Sequence, residues 1–293
     1  MTTLAPPAIE RRTTSTPHVV PATAVRRGRG RTRRILLALP IPLVILALWW
    51  IAVRQQWQLP FGIDMRFLSD PLTVAQTWIG LAVGTGSDAL SGSLWRHTAA
   101  SALRVLNGFL LAAAVAIPLG ILMGRLRVIR ELLDSTIGIL RPIPVTAWAP
   151  LSLLLIGYGD RSTIFLVFLA AFFPILLNTI AGAHAVPPRL LEASQMLGAD
   201  RLRVLVDVVL PSAMPSITSG LRVALGLSWV VLVVGETVGI TTGLGALITQ
   251  ARDMSRTDVI IAGMLTIGVA GLLSDALLRR ALCTVTRGRP GLT

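Results

Sequence analysis

The sequence predicts an all-α, polytopic membrane protein with six transmembrane helices, and three observations carry that expectation. Of its 293 residues, 53% are hydrophobic and 14% charged, and the mean hydropathy of +0.73 lies above the range of soluble domains. Apolar stretches of about twenty residues recur, the length an α-helix needs to cross the ~30 Å hydrocarbon core of a bilayer. The basic residues, 27 in number and all arginine, collect at the ends of those stretches. A formal net charge of +13 distributed in this way encodes membrane topology and makes lipid, not nucleic acid, the expected surroundings.

Residues 1–34 are rich in Thr, Pro, Ala and Arg, lack periodicity, and end in Arg26, Arg27, Arg29, Arg31, Arg33 and Arg34, which predicts a disordered basic tail in the cytoplasm. The first span follows at 35–53. A cleaved signal peptide is the competing reading, but an apolar run of ~19 residues exceeds an ordinary signal core, and no small-residue cleavage site follows Trp49 and Trp50. Residues 54–97 read as an external segment with one interfacial helix ending near Val83 and a Gly/Ser-rich loop around Gly84 and Gly86.

The membrane core is expected over 98–282. Its second span is 105–123, entered through Arg104 and Asn107. The third is irregular, because Pro142, Pro144 and Pro150 fall within nine residues after Arg141 and rule out a continuous helix into the apolar piece 151–156. The fourth, 163–183, contains Pro174 and Asn178 and leads into a polar loop, 184–212. In the fifth, 217–238, Gly220, Gly226 and Ser228 favour close helix approach, and Glu236 lies near the outer end. A polar return at 239–257 has room for a short re-entrant or interfacial helix. The sixth span, 259–278, leads to Arg279, Arg280 and a cytoplasmic tail, 283–293.

Orientation follows from the arginines. With the N-terminus inside, the cytoplasmic face receives the eight of the tail and Arg125, Arg127, Arg130, Arg141, Arg189, Arg201, Arg203, Arg222, Arg279, Arg280, Arg287 and Arg289, or 20 of 27. That bias satisfies the positive-inside rule and puts both termini and the 184–212 loop in the cytoplasm.

Within that loop, Pro188, Leu191 and Met196 fit a short helix ended by Gly198, and Leu202, Leu205, Val206 and Val209 recur at helical spacing from Asp200 to Pro211. The positions Glu192, Ala193, Ser194, then Gly198, then Val208, Leu210 and Pro211 resemble the EAA loop of permease subunits of bacterial ABC importers, with Ser194 and Val208 as small departures. The Arg-Pro-Ile-Pro piece at Arg141 and the Phe-Phe-Pro-Ile-Leu-x-Asn piece from Phe172 to Asn178 are similar to the nitrate/sulfonate/taurine branch of that family. The resemblance implies six helices of the type I ABC importer permease fold and coupling helices that dock on a cytoplasmic ABC ATPase. It further implies a second permease copy as a homodimer partner, an extracytoplasmic solute-binding protein, and a place in the bacterial cytoplasmic membrane. The implied cargo is aliphatic sulfonate or taurine, then nitrate, then a neutral vitamin precursor.

The residues also exclude. With no lysine, the chain cannot form the GxxxxGK[ST] phosphate loop, so ATP, if used, is hydrolysed by a partner and this chain carries no catalytic residues. Cys283 is the single cysteine, so no disulfide or cysteine metal cluster is expected, and no cofactor. His18, His97 and His184 make no HExxH motif. Arg141, Pro142, Pro144, Pro174, Asn178 and Glu236 are candidates for a pathway or gate, since broken helices often line transport routes; kinked packing helices are the other reading. Arg104 and Arg141 stand either as anion contacts or as topology anchors, and Glu236 either as a gate or as the partner of an arginine. A secondary transporter or channel, the rival class, would need a relay of intramembrane charges.

Overall fold

The computed structural model describes residues 40–59, 63–84 and 90–286. The basic tail, residues 35–39 of the first apolar run, most of the Gly/Ser-rich loop, and Arg287 and Arg289 lie outside the described residues. The chain forms two units, 1–48 and 49–293. Across their boundary runs α1 (Pro40–Arg54), 15 residues, whose last arginine sits 4.9 Å over the Trp50 ring.

In the second unit, two-residue strands β1 (Gln58–Leu59) and β2 (Ile63–Asp64) pair antiparallel and lead to α2 (Pro71–Val83), which starts on proline and stops at Gly84 with φ +80°. A helix is therefore present in this segment, as expected, and it is docked on the bundle rather than free. Thr77 Oγ1 donates to Asp258 Oδ2 (2.8 Å) and Trp78 Nε1 to Thr266 Oγ1 (2.9 Å), tying α2 to the start of the last helix.

Four long apolar helices follow: α3 (Leu94–Arg125), α6 (Asp160–His184), α8 (Arg201–Glu236) and α10 (Thr257–Thr286). α3 begins at Leu94, where the sequence placed the second span from residue 105, because His97, Ser101 and Arg104 ahead of it are buried groups with protein partners. Between α3 and α6 lie α4 (Arg127–Leu140), a 3₁₀ turn (Val145–Trp148) and α5 (Ala149–Ile156), with α4 and the piece after it bent by 85°. The expectation of a broken helix is met, with Pro142 and Pro144 in the break and Pro150 in the first turn of α5. A span confined to 141–156 is corrected, because the eight residues of α5 rise only ~12 Å at 1.5 Å each; a crossing here results only when α4 and the bent piece after it count together. Arg127 and Arg141 then sit at opposite ends of α4, about 20 Å apart along its axis.

α6 is the centre of the packing, with α3 on one side and α8 on the other. Small residues set the distances: a Cβ on Gly120 would meet Thr179 at 2.7 Å, and one on Gly220 would meet Asn178 at 2.7 Å. Asn178 also donates to the Pro174 carbonyl (2.8 Å), so this pair serves the α6–α8 contact. Gly226, grouped with Gly220 in the sequence, behaves differently, since a Cβ there would meet nothing within 4 Å. The helix after the polar loop does not stop at Pro211 as expected. Residues Val204–Val209 form a wide π-type turn in which the Leu210 N–H bonds the Leu205 carbonyl, and the helix then runs through Pro211 and Pro215 to Glu236. The turn has already shifted the bonding pattern, so the donor that proline lacks is not missed. The polar return holds α9 (Leu244–Asp253). Among the described residues, four helices are long and apolar enough to cross a membrane, and a fifth crossing results if the bent pair counts as one.

Candidate functional site

Two polar constructions stand out in this apolar bundle, one at each end of α8. The first is the loop of 184–212. Helix α7 (Pro188–Met196) starts with Pro188 in its first turn. It ends where the Gly198 N–H bonds the Gln195 carbonyl (2.9 Å) and the Ala199 N–H bonds the Ser194 carbonyl (3.1 Å), with Gly198 at φ +75°. That is a Schellman ending, and only glycine enters its left-handed position without steric cost. Two residues on, the Asp200 carboxylate accepts from the Arg203 N–H (2.9 Å) and caps α8. A stop and a start are thus compressed into a tight elbow.

The motif residues divide by face. Ser194 is buried and donates to the Leu191 carbonyl (2.7 Å), and Val208 packs with Leu191, Val204 and Leu205 against buried Ala183, Val186 and Val209. Leu210 packs against the main core, and Pro211 is half-buried beside it. Glu192, Ala193 and Gly198 face outward. Around them Met196 and Leu197 are each 87% exposed and Leu202 is 68% exposed. The elbow is thus pinned from behind and presents apolar side chains in front. At its entrance Arg130 of α4 lies 2.9 Å from His184 Nε2.

The second construction surrounds Glu236, which is fully buried. Its carboxylate accepts from Arg104 Nη1 (2.5 Å), Ser101 Oγ (2.7 Å) and the Gly245 N–H (2.8 Å). Arg104, 4% exposed, also donates to Asp160 Oδ1 (2.9 Å) and the Thr242 carbonyl (2.6 Å). Ser101 accepts from the Leu244 N–H (2.8 Å), and His97 Nδ1 lies 2.8 Å from the Gly243 carbonyl oxygen and 3.0 Å from the Gly243 nitrogen. The first amides of α9 are therefore satisfied by side chains of α3 and α8, and a carboxylate at that helix start also suits its dipole. Of the open alternatives, the structure bears out the pairing of Glu236 with an arginine, and that arginine is Arg104, whose donors are spent on protein acceptors. Sequence reasoning missed His97, Ser101, Asp160 and Thr242. The spacing 97, 101, 104, 108 places the first three on one helical face with Gly108, and that was the available signal.

The other candidates do not converge. Arg141, Pro142 and Pro144 sit exposed at the break between α4 and the 3₁₀ turn, Pro174 and Asn178 lie at the α6–α8 contact, and none of them is hydrogen-bonded to Glu236.

A bundle of long apolar helices joined by a polar connector that forms a rigid elbow defines a multi-pass membrane protein. Residues 116–282 match the model of the binding-protein-dependent transport system inner membrane component, and the chain belongs to that family of ABC importer permeases. It is 51% identical to the putative ABC transporter permease protein MJ0413 of Methanocaldococcus jannaschii, over 64% of this chain and 71% of that protein. It is 35% identical to the taurine transport system permease protein TauC of Escherichia coli, over 85% and 88%. It is also 35% identical to the putative aliphatic sulfonates transport permease protein SsuC of Bacillus subtilis, over 88% and 90%.

Proposed function

We propose that this chain is the membrane subunit of an ATP-driven importer that carries taurine or another aliphatic sulfonate across the cytoplasmic membrane by alternating access. The observation that carries this reading is the elbow at Gly198: its backbone is fixed by its own hydrogen bonds, while Met196, Leu197 and Leu202 are left for a partner. A cytoplasmic ATPase would seat on that surface, and closure of its nucleotide-bound dimer would push α7 and the start of α8 as a unit. The chain's lack of lysine supports assigning ATP hydrolysis to that partner. A second copy of this permease would complete the pore, lipid would cover its outside, and a solute-binding protein would deliver cargo at the face of α9. Both termini and the elbow lie inside in this reading. With α4 and α5 taken as one crossing Arg141 leaves the inner face, and Arg222 lies within α8, which leaves 18 of 27 arginines there, and the bias stands. The names of the taurine and sulfonate relatives support the cargo.

The test is deletion and complementation of the gene. Growth on taurine or alkanesulfonates as sole sulfur source is expected to be lost and restored by the intact chain, with growth on nitrate unaffected; loss of nitrate growth instead would move the cargo assignment to nitrate.

A further inference from the structure

An open groove of about 1010 Å³ lies between α8 and α10, and neither polar construction uses it. Its walls are apolar, formed by residues such as Val230, Val233, Met264 and Leu272. At one end stands Arg222. Its Nε donates to Asp275 Oδ1 (3.0 Å), while Asp275 Oδ2 takes Arg279 Nη2 at 2.8 Å. Two guanidinium groups therefore share one carboxylate, which leaves a net positive charge at that end. Arg222 is 46% exposed, and no hydrogen bond of its two terminal nitrogens is found among the described residues, in contrast to Arg104, which is 4% exposed and saturated.

The depth of this cluster shows what kind of space it faces. Arg222 is 14 residues from Glu236 along α8, and Asp275 is 18 from Thr257 along α10, or about 21 and 27 Å from those helix ends. Charges inside a span are costly against lipid tails and are found where they face protein or water. A volume of about 1010 Å³ holds on the order of thirty waters at ~30 Å³ each, more than a close-fitting site for a small ion needs. The groove is also kept open by residue choice: a Cβ on Gly226 or on Gly268 would meet nothing within 4 Å, so neither glycine serves helix contact. Trp229 pins one wall through its Nε1–H to Ser274 Oγ (3.0 Å).

We propose that the α8–α10 groove is a water-filled passage for a small organic sulfonate and that Arg222 is its anion-contacting residue, with Asp275 shared between Arg222 and Arg279 so that the contact stays weak enough to release. This rests on the importer reading above and adds a residue to it. A single half-neutralised guanidinium in a wide wet groove sorts by charge and not by shape, which leaves fine selection to whatever delivers the cargo.

The test needs no transport. In the full-length protein with Cys283→Ser, Gly226→Cys places a thiol on the groove wall, and its rates of modification by an anionic sulfonate-bearing and a cationic thiosulfonate are compared in proteoliposomes. The anionic reagent is expected to react at least ten-fold faster relative to the cationic one than it does with a thiol in solution. Arg222→Gln is expected to erase that preference, Arg222→Lys to keep most of it, and millimolar taurine to slow the reaction. Three outcomes would overturn the proposal: slow reaction with both reagents, which marks a lipid-covered or copy-covered face; a preference unchanged in Arg222→Gln; or a preference that follows the anionic lipid content of the vesicle. A complementary arm reads ATP-dependent uptake by the complete transporter, where Arg222→Gln and Gly226→Leu are expected to lower uptake at least ten-fold with normal subunit ratios. If intact transporter moves nitrate and not taurine while the thiol preference holds, the cargo assignment fails and the groove assignment survives.

Discussion

Removing Arg104 is expected to damage the protein more than removing any exposed arginine, and the structure gives the size of the effect. The side chain is 4% exposed and Glu236 opposite it is 0% exposed. Truncation to alanine would leave the carboxylate buried with only Ser101 Oγ and the Gly245 N–H as donors, and would also strand the Thr242 carbonyl. Breaking a buried pair by deleting one partner costs about 3–5 kcal/mol, because the remaining charge is uncompensated. Glu236→Gln should cost less, on the order of 1–3 kcal/mol, since a charged hydrogen bond is exchanged for a neutral one and Arg104 keeps Asp160. In the double variant, part of the penalty disappears because no orphaned charge remains, so the two losses should fall short of additivity by at least about 1 kcal/mol. The assay is thermal inactivation of the detergent-purified protein followed by size-exclusion monodispersity, read as rank order because membrane proteins unfold irreversibly. The expected order of decreasing stability is wild type, Glu236→Gln, Arg104→Ala. An Arg104→Ala protein as heat-stable as wild type, or strict additivity in the double variant, would refute the claim that this pair holds α3, α8 and α9 together.

Three further outcomes follow from the same geometry. Gly198→Ala should cost about 1 kcal/mol for an L-residue held at φ +75° but leave ATPase co-purification intact, since a Cβ there meets nothing within the chain; Gly198→Glu should insert normally and lose the ATPase, and retention of a full subunit ratio would sink the docking assignment. Asp200→Ala should lower stability by about 1 kcal/mol through loss of the α8 cap, measurable in the same thermal assay. Gly243→Ala should be far more harmful than Gly226→Ala, because its Cβ would run into the Glu236 carboxylate while the one at 226 points into open space; equal thermal stability of the two would contradict the packing described around Glu236.

What could be read in the sequence and what could not divide along a physical line. Local rules located the elbow: proline at the start, glycine at the left-handed end and aspartate at the next cap are each decided by a few neighbouring residues, and the structure places all three where those rules put them. The break at Pro142 and Pro144 is local in the same sense. Misplaced features depend on partners far away in the chain. Arg104 read as the entrance to the second span and His97 as part of the external segment because nothing near them reveals that Glu236, Thr242 and Gly243 arrive from some 140 residues later. Pro211 looked like a stop because the wide turn that accommodates it is a property of the hydrogen-bond ladder and not of residue type. Gly226 looked like Gly220 because a helix pattern cannot show whether a glycine faces another helix or a void.

The wide turn at Val204–Val209 lies between the elbow and the packed part of α8, and its position makes one last expectation possible. From Ala213 onward α8 is locked into the bundle by buried Ala213, Ile217 and Leu221, whereas Arg201, Leu202 and Arg203 are exposed. A π-type turn holds one residue more than an α-turn. That turn has already absorbed its extra residue, so inserting one alanine after the exposed Leu202, ahead of the turn, should leave both the turn and the register of the locked segment as they are. The whole adjustment then falls on the elbow side, which must rotate by about 100° relative to the bundle. If force reaches the bundle through this helix, that variant should insert and stay heat-stable yet show no stimulation of ATP hydrolysis by cargo-loaded binding protein. Stimulation at the wild-type level would mean that the orientation of the elbow relative to α8 is immaterial, and that the push enters the membrane by a route other than α8.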